Sequence, residues 1–275
     1  MSAEAGRGAG ARPAAGPREP GAAEPGAAEP GAGEPGAGEA GARVASGGRR
    51  VGRLAWSRVN GFARTRRALA PWIALFGLLA ILHLGGAAPS TEAYGTSALV
   101  LLPVLAWQVK LVLDAEPDGQ RLLANVAVGG PFREVLAGLL AALTPAALTI
   151  AVALVFPLVI GAIKNPGSLT GLLFGLWIHV LSALTGLAIG AWSSRAVSPD
   201  LGRATLTLVG GVVLVLALGS GAVDPLGWLV PRLTASVKAA NDGSLLDVTL
   251  LGLHGLAWIS LALAGYTRTR LTTRP

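Results

Sequence analysis

From residue 68 onward the chain alternates long apolar runs with short polar connections. Six runs, at 68–86, 97–113, 135–163, 168–194, 204–223 and 248–266, hold almost no charge. About 20 helical residues cross a hydrocarbon core of roughly 30 Å, so each run predicts a membrane-spanning helix. The second is the shortest, and Lys110 lengthens it by reaching for the nearer surface. The third exceeds the bilayer, which predicts a tilt, a kink at Pro145 or Pro157, or an end outside the core. Pro103, Pro145, Pro157 and frequent glycine predict a closely packed bundle with kinked members. The fold class that follows is an all-α polytopic membrane protein with six transmembrane helices.

The polar connections fall into two sets. Residues 49–67, 114–134, 195–203 and those after 266 hold 14 Lys or Arg, against 3 in the alternate set. Because cytoplasmic connections are enriched in Lys and Arg, both termini and the 114–134 loop are expected in the cytoplasm. Ahead of the first span, residues 1–48 are low in complexity, with an imperfect GAAEP repeat from Gly21 to Ala40 and no large apolar residue before Val44. Such a tail cannot build a core and is expected to be disordered. Residues 49–67 place Val51, Ala55, Val59 and Phe62 on one helical face among seven arginines. A basic amphipathic helix is expected there, its apolar side in the headgroup boundary and its Arg side toward anionic lipid. Residues 68–268 form the transmembrane domain and 269–275 a cytoplasmic tail. The longest external connection, Asp224–Asp247, predicts a short helix lying along the outer surface, with a turn at Asn241-Asp242-Gly243.

Composition narrows the chemistry. The chain is 52% hydrophobic and 13% charged, and its net charge of +7 arises largely ahead of the membrane. Arg beside a first span fixes topology and touches lipid, so a nucleic-acid role is set aside. With no cysteine, disulfides and thiolate chemistry are excluded. The bias to Ala, Gly and Arg over Lys is that of a GC-rich genome, and the expected location is a bacterial plasma membrane. No Gly-Lys pair exists, so the phosphate-binding G-x-x-x-x-G-K-[ST] loop is missing. His83, His179 and His254 stand in separate spans, and no span interior contains Asp or Glu. This pattern weighs against ion-coupled transport and predicts interhelical hydrogen bonding for the histidines. No enzymatic activity, bound cofactor or metal is expected of this chain.

The exception to the apolar pattern is Asp114–Leu140, where six charges gather. Pro117 and Asp118 offer a break and an N-cap, Gly119–Val128 a short helix, and Gly129-Gly130 a stop. Pro131 then fits the first position of a new helix, with Arg133 and Glu134 at its polar edge. Within the short helix Leu122, Leu123 and Val126 form an apolar ridge, while Gln120, Arg121 and Asn125 are polar. That is the makeup of a helix that docks into a groove on a soluble partner.

In this loop the chain resembles the membrane subunits of ABC-2 type exporters. Those proteins have an amphipathic elbow helix, six spans with both ends inside, and a coupling helix in the first cytoplasmic loop. The loop often carries an acidic residue, a Gly, a Leu pair and a Pro-x-Arg step, where this chain has Glu116, Gly119, Leu122, Leu123, Pro131 and Arg133. The resemblance covers roughly residues 50–268 and departs from the family at Asp-Ala-Glu-Pro-Asp and at Gly129-Gly130. It implies a permease subunit that pairs with an identical or homologous subunit and couples to a separate ABC ATPase subunit, which binds the ATP. The ridge Leu122, Leu123 and Val126 would carry the coupling, with Arg121 and Arg133 at its margins. The alternative is a non-transporting six-span scaffold, immunity or regulatory protein.

Overall fold

The computed structural model describes residues 37–220 and 226–272, with side chains from Gly47 onward except at Asp118. The chain runs α1 (Ala37–Ala63), a 3-10 turn (Arg66–Ala68), α2 (Leu69–His83), β1 (Ala88–Pro89), α3 (Ser90–Leu113), α4 (Asp118–Val128) and α5 (Pro131–Val159). It continues through β2 (Ile163–Lys164), α6 (Leu169–Trp192), α7 (Leu201–Leu218), a second 3-10 turn (Leu226–Leu229), α8 (Leu233–Asn241) and α9 (Leu245–Thr272). Six helical segments among the described residues are long and apolar enough to cross a membrane: Arg66–His83, α3, α5, α6, α7 and α9. This is the architecture of a multi-pass membrane protein.

The core is built on α3 and α6. Their apolar windows are 56% and 61% buried, whereas those of α2, α7 and α9 are at most 22% buried and turn most of their surface outward. Lipid offers no hydrophobic drive for helices to associate, so close backbone approach has to hold them. A Cβ on Gly190 would stand 2.6 Å from the Ala106 carbonyl oxygen, and one on Gly186 would stand 3.0 Å from the Ala106 nitrogen. Glycine at both positions lets α6 lie directly on α3. Buried polar side chains add interhelical bonds. Ser182 Oγ donates to Ala98 O at 2.8 Å, and Thr149 Oγ1 donates to Gln108 Oε1 at 3.2 Å. At the end of the bundle opposite α4, β1 pairs in parallel with β2, Ala88 opposite Ile163 and Pro89 opposite Lys164.

Several element boundaries differ from those expected. The second span is not short: α3 begins at Ser90, seven residues before the apolar run, and has 24 residues. Polar Ser90, Thr91, Glu92 and Thr96 hid its first turns, yet Glu92 suits the positive end of a helix. The third span is a 29-residue helix shifted four residues toward the N-terminus, from Pro131 to Val159. At about 1.5 Å per residue it is roughly 43 Å long, so its first turns extend past the hydrocarbon. Helix α9 runs to Thr272, which puts Arg270 on a helix where a tail was expected.

Two surface expectations also change. Helix α1 begins at Ala37, inside the stretch expected to be disordered; residues 1–36 of that tail and 273–275 of the C-terminal segment lie outside the described residues. Its apolar face packs on the bundle: Val51, Ala55 and Phe62 are buried against Val109 and Val112 of α3 and Ala137 and Ala141 of α5. Trp56, which is 61% exposed, is left on the outer side. Helix α8 packs into the bundle. Leu233, Ser236 and Val237 are buried against the bundle, and a Cβ on Gly95 of α3 would collide with Val237 Cγ1 at 2.5 Å.

Candidate functional site

Helix α4 stands between α3 and α5 at one end of the bundle. Its N-terminus is set by Pro117, one residue earlier than expected, with Asp118 as the first helical residue. Its C-terminus closes in a Schellman turn: Gly129 N donates to Val126 O at 3.3 Å and Gly130 N to Asn125 O at 2.9 Å. The turn needs φ of +80° at Gly129, and φ of +136° follows at Gly130. Side chains rarely adopt either conformation, which explains the glycine pair. Pro131 then occupies the first turn of α5, as its missing N–H and fixed φ favour.

The two faces of α4 have opposite surroundings. Residues 121, 124 and 128 recur at helical spacing and are buried, whereas Leu122, Leu123 and Val126 are 50%, 73% and 83% exposed. The apolar ridge therefore points away from the rest of the chain. Phe132, at the start of α5, is 58% exposed. Gly119 is open, and a Cβ there would meet nothing within 4 Å.

The charged residues expected at the ridge lie elsewhere. Arg121 is on the buried face and its guanidinium donates to the Leu113 carbonyl, capping the end of α3. Arg133 folds back on α4. Its Nη1 donates to Val128 O at 3.3 Å, and its guanidinium covers Gly47 of α1, where a Cβ would lie 3.1 Å from Cζ. Glu116 is turned inward and paired with Arg58 of α1. In each case a charge near unsatisfied helix-end groups or an opposite charge is held by the chain itself.

Beneath α4 lies a cluster that the sequence pattern did not single out. Glu134, in the first turn of α5, is 3% exposed and receives two arginines. Arg58 Nη2 donates to Oε1 at 2.6 Å, and Arg270 Nη2 of α9 donates to Oε2 at 2.8 Å. Arg58 also donates to Glu116 and, through Nη1, to the Glu134 carbonyl at 3.1 Å. Gly138, one turn after Glu134, makes room for it, since a Cβ there would be 3.1 Å from Arg58 Nη1. Asp114 forms a second junction. It pairs with Lys110, and its carboxylate and carbonyl accept from the backbone and side chain of Arg195, each at 2.7 Å. The available signal was that Glu134 immediately precedes the charge-free run at 135–163; nothing in its spacing pointed to Arg270.

The histidines serve packing. His179 Nδ1 is 2.7 Å from Gly175 O, which can only accept, and Nε2 is 3.1 Å from Ser97 Oγ on α3. His254 Nε2 donates to Trp228 O at 3.0 Å, and His83 stacks on Phe156. No group of three metal-ligating side chains gathers among the described residues. The arrangement at α4 offers no nucleophile or acid–base pair; it is a braced apolar ridge suited to contact.

Comparison of the chain with family models, curated proteins and solved structures returns no match. The fold and this site define a multi-pass α-helical membrane protein with an exposed amphipathic helix between its second and third spans.

Proposed function

We propose that the chain is the membrane subunit of an ATP-driven exporter of the ABC-2 type, with α4 as the helix that engages a separate ATPase subunit. The observation that carries this reading is the exposed Leu122, Leu123 and Val126 ridge on a helix whose opposite face is anchored by Arg121. An apolar stripe outside the spans is stabilised when a partner covers it, and a helix laid into a groove uses this spacing. The braced base supports the same reading. Movement imposed on α4 would reach α3 through Arg121, α5 through the glycine turn, and α1 and α9 through Glu134, as a rigid-body shift. Two membrane subunits, identical or homologous, would form the pathway, and ATP would act through the partner subunit. The basic connections support a reading in which α4 and both termini are cytoplasmic in a bacterial cell, with the arginines of α1 against anionic lipid.

The test is purification of the protein from its native membrane in mild detergent, with identification of what accompanies it. The expected companion is an ATPase whose retention falls by at least about tenfold in Leu122→Asp, since a charge in a desolvated groove costs more than about 1.4 kcal/mol. Recovery without an ATPase in several detergents, or with an ATPase that Leu122→Asp retains, would overturn the assignment of α4.

A further inference from the structure

A cavity of about 460 Å³ opens between α3, α6, α8 and α9, at the end of the bundle opposite α4. That is within the range of small-molecule sites, roughly 300–1,000 Å³. Thr91 and Thr170, in the first turns of α3 and α6, stand at its mouth. Phe174 and Trp177 of α6 and Val248 and Leu253 of α9 form its walls. The cavity opens sideways, because α9 keeps little of its surface inside the bundle and Leu173 and Leu253 are more than half exposed.

Its polar groups are few. Thr249 is satisfied internally, its Oγ1 donating to Leu245 O at 2.8 Å. The hydroxyls of Thr91 and Thr170 and the indole N–H of Trp177 make no hydrogen bond to a described residue. The Trp177 ring lies over Gly252, two turns inside α9, where a Cβ would be 2.5 Å from its Cζ2. The site therefore presents hydrocarbon along its depth and two threonine hydroxyls at its entrance. Water gains little on such walls, and a void forfeits the contacts of every lining atom. The matching occupant has a long hydrocarbon chain headed by a polar group that hydrogen-bonds to hydroxyls.

We propose that this cavity seats one acyl chain of a glycerophospholipid from the adjoining leaflet, its ester oxygens accepting from Thr91 and Thr170. Thr91 and Thr170 stand in the first turns of α3 and α6, and an acyl chain running inward from them follows α6 past Trp177. The seat exists with or without an ATPase, so it stands independently of the exporter reading.

Native mass spectrometry of the full chain, released from nanodiscs of defined phosphatidylglycerol and phosphatidylethanolamine, tests it. One phospholipid per chain is expected to survive detergent that strips the remainder. Val248→Trp, which fills the cavity, is expected to lower that retention at least about tenfold. Thr170→Val, at the exposed rim, removes one donor with little change in packing and is expected to lower it about fivefold. Circular dichroism and elution volume confirm that each variant is folded, and Thr170→Val decides the matter if Val248→Trp is not. Loss of all lipid from the unaltered chain, equal retention by the folded variants, or retention of an amphiphile other than a phospholipid would overturn the proposal.

Discussion

Arg58 and Glu134 meet twice: Arg58 Nη2 lies 2.6 Å from the Glu134 carboxylate, and Nη1 donates to the Glu134 backbone carbonyl at 3.1 Å. The second bond fixes α1 to the backbone of α5, and the first leaves one carboxylate oxygen for Arg270. Removing one member of a buried charged group strands the others and costs about 3–5 kcal/mol. Glu134→Ala is therefore expected to lower stability by that amount and to free α1 and the end of α9 together. Thermal unfolding in detergent, with protease cleavage followed at both segments, checks this; release of one segment alone would contradict the shared hub.

Opposite faces of α4 should respond oppositely. Leu123→Ser, on the exposed ridge, is expected to change stability by no more than about 0.5 kcal/mol. Arg121→Ala loses a charged hydrogen bond to the end of α3 and is expected to cost about 1.5–3 kcal/mol. Denaturant or thermal titration of the two variants side by side gives the comparison. Equal losses would mean that Leu123 is covered by the chain itself.

The joint between α4 and α5 depends on backbone conformation alone. Gly130 has φ of +136° and ψ of 160°, where a side chain costs about 1–3 kcal/mol. Gly130→Ala is expected to lose that much stability although no atom lies within 4 Å of the added Cβ. A thermal midpoint equal to that of the unaltered chain would show that the joint relaxes freely.

At the centre of the bundle, Gly190→Ala drives a methyl group toward the Ala106 carbonyl and is expected to cost about 1–3 kcal/mol. Gly77→Ala on α2 meets nothing within 4 Å and is expected to be neutral or stabilising by up to about 1 kcal/mol. The pair separates close helix approach from the general effect of glycine in a helix. Equal stabilities, read from thermal midpoints, would remove the contact as the reason for glycine at position 190.

The number of spans was legible because hydropathy acts over 18 or more residues, and no single polar side chain erases it. The start of α3 was hidden because Ser90, Thr91 and Glu92 are polar in composition yet placed at a helix end. The exposed ridge of α4 followed from spacing within one helix. The destinations of Arg121, Arg133 and Glu116 did not, since each depends on which carbonyl or charge a neighbouring element brings near. Glu134 and Arg270 are 136 residues apart, and no local pattern connects them. Helix α8 was read as a surface feature from its mixed polarity, but Ser236 donates to Arg232 O within its own helix, which leaves that face free to be buried.

The separation of Glu134 from Arg270 also sets an order in time. At about 5–20 residues per second, synthesis reaches Arg270 roughly 7–27 s after Glu134. Until then Glu134 holds Arg58 and Glu116 shares that arginine, so the nascent chain carries a half-made junction through the insertion of three more spans. The last helix completes it. A chain that stops short of α9 keeps a buried carboxylate oxygen without its arginine, and the membrane domain is thereby marked as unfinished at the end where α4 stands.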